Sequence, residues 1–265
     1  LLVVTAFPKQ WDSAGVRRME SIKQQLLQLP VVKNASLAFE IPDRKPPNIL
    51  ALLPVKEQNG QPLNIPTINV DEDYAATYEM KMVAGTFFNH NKVTFIPGQV
   101  VMNETAVKSL GLDSKSAVGR QVSFAGGSGG SLTIAGIVSD YNYSVIQEGI
   151  EPLAFMHVKD VMSYRYMTLR INSGNMGEAI ESVKKKWKEA SKDSPFDYFF
   201  MDEKFQSLYS SELQLKKAAN TATLLNLFIV LMGVFGVVAF TLTRRNKEIA
   251  IRKVLGANAP GIIKL

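Results

Sequence analysis

The chain contains no cysteine. That excludes disulfides, thiolate chemistry and Cys-ligated zinc within it. Its two histidines, His90 and His157, have no second histidine at metal-ligand spacing, so a zinc site has no support. No G-x-x-x-x-G-K-[ST] segment is present, and the chain therefore has no P-loop for ATP. Asp71-Glu72-Asp73 lacks the spacing and the glycine of an EF-hand; its expected role is to cap the helix that follows. No pair of carboxylates stands out for acid–base hydrolysis. Gly126-Gly127-Ser128-Gly129-Gly130 matches G-x-S-x-G, but an apolar strand, Leu132 to Val138, follows where a nucleophile elbow needs a helix. It reads as a hairpin tip. The expectation is a chain that is not itself an enzyme, with no catalytic residues, no cofactor and no metal.

Charge is scarce where a nucleic-acid-binding protein would need it. The net charge is +6, yet Arg244, Arg245, Lys247, Arg252, Lys253 and Lys264 face only Glu248 in residues 244–265. The remaining body holds 24 basic and 23 acidic side chains. A basic face spread over a folded domain is missing, which argues against nucleic acid as a partner.

Charge is absent altogether from Ala222 to Thr243, ATLLNLFIVLMGVFGVVAFTLT. As a helix this segment is about 33 Å long, against a hydrocarbon core of about 30 Å. Core helices of soluble proteins seldom stay apolar on every face for six turns. The segment is predicted to be a transmembrane helix in contact with lipid. Gly233, Gly236 and Ala239 recur at a spacing of three and form a candidate helix-packing strip. The basic flank sets the orientation: residues 244–265 in the cytoplasm, residues 1–220 outside it, in the periplasm across a cell inner membrane.

The outer part begins with an apolar strand, Leu1 to Ala6. Val16, Met19, Ile22, Leu26 and Leu29 then mark one face of a helix, with Asp12 or Ser13 as its cap and Pro30 at its end. Val31 to Ile41 reads as the next strand. A second strand–helix–strand unit follows late. It runs from Tyr166 to Ile171, through Asn172-Ser173-Gly174 as turn and cap, over Met176, Ile180, Val183 and Trp187, and on to the strand Phe196 to Met201. Between them the texture is mostly β, with a helix opened by Asn103. The predicted fold is α+β: a porter-like α/β subdomain (residues 1–44 and 161–202) with an inserted β-rich subdomain (45–160). A stalk helix (203–221), the transmembrane helix (222–243) and a cytoplasmic segment (244–265) follow. A stalk continuous with the span would tie domain motion to the bilayer. The start without Met and the apolar finish, Ile262-Ile263-Lys264-Leu265, suggest a piece of a longer protein.

Arg244 to Ala257, RRNKEIAIRKVLGA, is predicted to be a short amphipathic helix leaving the membrane. Glu248 and Arg252 form a favourable i,i+4 pair, and Gly256 is placed for a C-cap. Physically it is either a juxtamembrane anchor on anionic lipid or a docking surface for a cytoplasmic partner.

This segment, following a Gly-rich apolar helix, resembles the second transmembrane helix and first cytoplasmic loop of FtsX/MacB-like ABC transporter permeases. Val101-Met102-Asn103-Glu104-Thr105-Ala106, Leu110-Gly111, Val118-Gly119-Arg120, Ile134 to Tyr141 and Ile150-Glu151-Pro152-Leu153 resemble that family's extracytoplasmic domain. The style is that of the long, two-halved permeases of Bacteroidetes-type bacteria.

The resemblance implies an ABC-type ATPase partner, separate or fused, a dimer or two-halved permease, and a mechanotransmission mechanism. By position it makes Lys247, Glu248, Ile249, Arg252, Lys253, Leu255 and Gly256 the ATPase-coupling interface. Ala250 stands where many relatives have glycine, which leaves a helix intact. Three functions compete: efflux of a drug, peptide or lipoprotein; a non-transporting relay that controls cell-wall hydrolases or senses peptides; and a membrane-anchored binding domain without an ATPase.

Overall fold

The computed structural model describes residues 1–5, 11–53, 61–88, 96–125, 130–141, 149–172, 174–192 and 194–256, without the side chains of 208–212 and 248–249. His90, Gly126 to Gly129, Ser173 and Ala257 to Leu265 lie outside the described residues. The chain forms two compact units, Leu1–Gln206 and Ser207–Leu265.

In chain order the elements begin with β1 (Leu2–Val4), α1 (Ser13–Leu27), β2 (Val32–Ala38), β3 (Asn48–Leu52), β4 (Leu63–Val70), α2 (Tyr74–Tyr78) and β5 (Met82–Gly85). They continue with β6 (Gln99–Asn103), α3 (Glu104–Ser109), β7 (Gln121–Ser123), β8 (Ser131–Val138), β9 (Ala154–His157) and α4 (Val158–Val161). The last are β10 (Tyr166–Ile171), α5 (Met176–Ala190), β11 (Tyr198–Phe200) and α6 (Met201–Val254). This is the α+β fold expected from sequence: two strand–helix–strand units, a β-rich insertion and a C-terminal apolar helix.

All the strands join one mixed sheet, in the order β11-β1-β10-β2-β4-β9-β6-β8-β5, with β3 added to β4 and β7 to β8. The two strand–helix–strand units interleave at one end of it. β1 lies between β10 and β11, antiparallel to both, and β10 pairs with β2. The apolar faces of α1 and α5 cover these strands, burying Val16, Met19, Ile22, Leu26, Val183 and Trp187 with Leu37, Met167 and Leu169. Asp12 caps α1 by accepting from the Gly15 amide at 2.7 Å. Asn175, rather than the expected Asn172-Ser173-Gly174, caps α5. The Trp187 indole N–H donates to the Ser194 carbonyl at 3.2 Å, so the ring is buried without an orphaned donor.

The inserted half closes on itself. β3 pairs with β4, β4 with β9, β9 with β6, β6 with β8 and β8 with β7. A bridge at Leu52 and Phe124 then returns to β3, with the Leu53 amide on Ser123 O at 3.0 Å and the Ala125 amide on Ala51 O at 2.9 Å. The ring buries Leu52, Ile65, Val100, Met102, Ile134 and Ala154, with Ala106 and Val107 of α3 against them. Ring closure leaves fewer open strand edges.

Where β5 meets β8 the backbones nearly touch. A Cβ on Gly136 would fall 2.2 Å from the Thr86 carbonyl oxygen, and one on Gly85 (φ +67°) 2.3 Å from that of Ala135. Gly136→Ala is therefore expected to cost about 2–3 kcal/mol through forced backbone displacement, read as a lowered urea midpoint of the full chain in detergent.

α6 is one helix of 54 residues, so the expected stalk, span and basic segment through Val254 share a single element. Among the described residues it holds the one stretch long and apolar enough to cross a membrane, within Leu213–Lys247. Its large apolar side chains, Leu224 to Leu242, are exposed. Thr221, Thr223, Thr241 and Thr243 flank the apolar run, and each hydroxyl donates to the carbonyl four residues earlier at 2.8–2.9 Å. Such back-bonding satisfies a hydroxyl that would otherwise be costly to bring into hydrocarbon.

Candidate functional site: the joint within the sheet

The two halves of the sheet meet at β2 and β4 through a single paired position, Ala38 with Val70. The Phe39 amide on Asn69 O and the Asp71 amide on Leu37 O extend the contact by one bond on each side, at 2.8 and 2.9 Å. So thin a seam cannot by itself fix two subdomains. The segment Asp71 to Glu79, which carries α2, supplies much of the rest.

Lys23 anchors one end of that segment. It sits four residues after Met19 and three before Leu26, on the buried stripe of α1, and its side chain is only 1% exposed. Its Nζ lies 2.6 Å from Asp71 Oδ2, 2.9 Å from Asp73 Oδ2 and 3.9 Å from Glu72 Oε1. Asp71 Oδ2 also accepts from the Leu37 amide at 2.8 Å, and Asp71 Oδ1 from the Asp73 amide at 3.2 Å. This corrects the sequence expectation for the acidic triplet. Asp73 stands at the N-cap of α2 but makes no side-chain cap bond; the three carboxylates converge on a lysine instead.

Glu72 extends the network. Its Oε2 lies 3.0 Å from His157 Nε2. His157 Nδ1 accepts from the Lys159 amide at 3.1 Å, so Nε2 carries the proton and donates to Glu72. The imidazole meets Phe88 edge to face, with ring centres 5.0 Å apart. Lys159 reaches back to Glu20 of α1 at 2.6 Å.

The other end of the segment is held by β2 and β10. Asn34 Nδ2 donates to Ala76 O at 3.0 Å, and Arg170 Nε to Thr77 O at 2.8 Å. These bonds satisfy carbonyls at the C-terminal end of α2 that a helix leaves open. Arg170 also pairs with Glu79 at 2.9 Å, and the Tyr78 and Thr168 hydroxyls share a bond of 2.9 Å. One half of the sheet is thus bolted to the other at both ends of a short helix.

Burial alone would lower the Lys23 pKa, but the charge of Asp71, then of Glu72 and Asp73, holds it above the ordinary lysine range. Burial likewise opposes ionisation of Glu72, yet the His157 bond and the Lys23 charge hold that carboxyl below the ordinary range. The Glu72 contribution is complete above its unfolded pKa of about 4.3 and is lost as pH falls. The Lys23 contribution is complete below about 10.4 and is lost as pH rises. Between those limits Lys23 and Glu72 contribute fully, while burial pushes the Asp71 carboxyl up against the pull of Lys23 and so takes back part of the gain.

The residues singled out from sequence lie elsewhere, on α6 and just after it. Lys247, Arg252 and Lys253 are exposed, as are Val254 and Leu255. Gly256 takes φ +87° and donates to Lys253 O at 3.2 Å, which ends the helix as expected. Glu248 and Ile249 belong to α6 by their backbone, while their side chains fall outside the description. At Gly233 and Gly236 an added Cβ would meet nothing within 4 Å, and Ala239 is exposed, its carbonyl accepting from Thr243. Sequence reading missed Lys23 and Arg170. The available signal was a lysine inside the apolar stripe of α1.

The family profile and one solved structure agree with this architecture. The profile of the MacB-like periplasmic core domain matches residues 2–186. The chain belongs to that family. The fold is similar to the crystal structure of the periplasmic region of MacB from Actinobacillus actinomycetemcomitans, at 15% identity and a TM-score of 0.53, covering 78% of this chain and 92% of that one. The extracellular domain of the noncanonic ABC-type transporter YknZ from Gram-positive bacteria matches at 15% identity and a TM-score of 0.43, over 72% of this chain and 91% of that one. No curated protein sequence matches the chain.

Proposed function

We propose that this chain is the periplasmic domain, one membrane helix and the ATPase-coupling segment of an ABC-type transporter permease in a cell inner membrane. One observation carries the reading: a MacB-like domain precedes an apolar helix of membrane length, and the basic, amphipathic segment Arg244 to Gly256 comes directly after the apolar run. These 265 residues contain no P-loop, and ATP hydrolysis is assigned to an ABC-type ATPase partner of the coupling segment, separate or fused. Cycles of that partner move the segment around Lys247, Glu248, Ile249, Arg252, Lys253, Leu255 and Gly256. α6 carries the motion toward β11, and the bolted joint passes it from the strand–helix–strand half to the β-rich half. Efflux of a drug, peptide or lipoprotein is the output of this mechanotransmission. The same reading takes the permease as dimeric or two-halved, with the small, exposed Gly233, Gly236 and Ala239 as its helix-packing strip.

Affinity purification of the full chain from its membrane is expected to bring down an ABC-type ATPase. Glu248→Arg, or deletion of residues 246–257, is expected to reduce that recovery at least about tenfold, the loss of roughly 1.4 kcal/mol of contact. Equal recovery from wild type and variants would refute the coupling role.

A further inference from the structure

A second buried acid sits at the same joint, with different surroundings. Glu40 lies two residues beyond the end of β2 and is 8% exposed. Its Oε2 accepts from the Asn69 amide on β4 at 3.0 Å, beside the Phe39-to-Asn69 bond that extends the seam. Its Oε1 accepts from Asn48 Nδ2 at the start of β3. One carboxyl therefore ties the end of β2 to two strands of the inserted half. We propose that Glu40 is a pH-sensitive latch on this joint, holding the halves more firmly when its carboxyl is protonated.

The contrast with Lys23 carries the inference. The acids around Lys23 have a buried cation. Among the described residues, no basic side chain lies within ion-pair distance of Glu40. In the turn after β2, the Arg44 side chain is 64% exposed and lies 3.9 Å from Asp43. Lys45 is paired with Glu151 at 2.7 Å. From α2 the facing group is the buried Tyr74 hydroxyl, whose own ionisation burial pushes well up. From β3 and β4 the neighbours are the neutral Asn48 and Asn69, and Asn69 Nδ2 donates onward to Ser163 at 3.4 Å.

A buried carboxylate without a counter-ion is costly. Burial raises the Glu40 pKa to about 7, against the partial offset of the Asn69 and Asn48 bonds and the more distant Arg44 charge. With the folded pKa above the unfolded one, the stabilising contribution is complete below about 4.3 and is lost as pH rises through about 7. Protonation need not break the bond to Asn48. A half-turn of that amide presents Oδ1 to the acid proton. The latch lies within the domain and does not depend on an ATPase partner.

The absence of native cysteine allows a clean test. Spin labels at Gln24→Cys on α1 and Lys108→Cys on α3, both exposed, report the distance between the halves in the full chain in detergent. With the Lys23 bolt intact at both values, the distance distribution is expected to be measurably broader at about pH 8 than at about pH 5.5, with a midpoint near 7. Glu40→Gln is expected to be narrow at both. Asn48→Lys, which adds a cation beside the carboxyl, is expected to lower the midpoint by about one unit or more. Equal widths at the two pH values in the wild type would overturn the proposal. So would a pH response that persists in Glu40→Gln, or a midpoint unmoved in Asn48→Lys, which decides the matter should Glu40→Gln fail to fold.

Discussion

Lys23→Met is expected to destabilise the Leu1–Gln206 unit by about 3–5 kcal/mol, the cost of breaking a buried ion pair by removing one partner. Methionine keeps much of the lysine stem on the buried face of α1, so little packing is lost. What disappears is the cation 2.6 Å from Asp71, whose side chain is 0% exposed. Three carboxylates are then left close together with no lysine between them. Asp71→Asn in the same chain removes one of those charges and keeps an acceptor for the Leu37 amide. The double variant is therefore expected to lose less than the sum of the two single losses, the signature of direct coupling. Urea unfolding of the full chain in detergent measures this, followed by the fluorescence of its two tryptophans, Trp11 and Trp187, which both belong to this unit. Because the cluster is buried, the loss should persist at high salt, whereas an exposed pair would already be screened. A variant with the wild-type midpoint would show that the cluster is not what joins the halves.

The second large effect concerns α6. Leu231→Arg combined with Phe235→Arg is expected to abolish membrane integration of the chain. The two positions are four apart, so both charges fall on one face near the middle of the apolar run. Each arginine near a helix centre costs about 2.5–3.5 kcal/mol on insertion scales, and two on one face leave little room for both to reach the same interface. Alkaline carbonate extraction reads the result: the wild-type chain stays with the membrane pellet and the double variant moves to the soluble fraction. Retention of the double variant would mean that other contacts hold the chain at the membrane.

The elements that sequence made legible are those with short-range causes. The stripe Val16, Met19, Ile22, Leu26, the Asp12 cap and the stop at Pro30 define α1 through neighbours in the chain. The same holds for α3, opened by Asn103, and for the uncharged run of α6. The acidic triplet was placed correctly before a short helix, and its role was misjudged because the partner, Lys23, lies 48 positions away. No local pattern announces such a meeting. Ring closure at Leu52 and Phe124 and the interleaving of β1 between β10 and β11 are hidden for the same reason. Period-two patterning says which face of a strand is buried and nothing about which strand lies beside it. Glu40 looked like any glutamate near a strand end; its isolation from cations exists only once β3 and β4 are folded against it. The coupling segment was the reverse case. Its fourteen residues, Arg244 to Ala257, were the most informative in the chain, yet in the fold those whose side chains are described, 244–247 and 250–256, are an exposed helix end whose chemistry depends on what meets it.

That meeting is what the whole account turns on, and photo-crosslinking in cells tests it most directly. A photoreactive residue replaces Leu255, which is 80% exposed in the coupling segment, and, in a control chain, Leu225 in the apolar run. The captured species are identified by mass spectrometry. An ABC-type ATPase captured from position 255 and not from position 225 is the expected result. Capture of lipid alone at both positions would contradict the account and leave the segment as a membrane anchor.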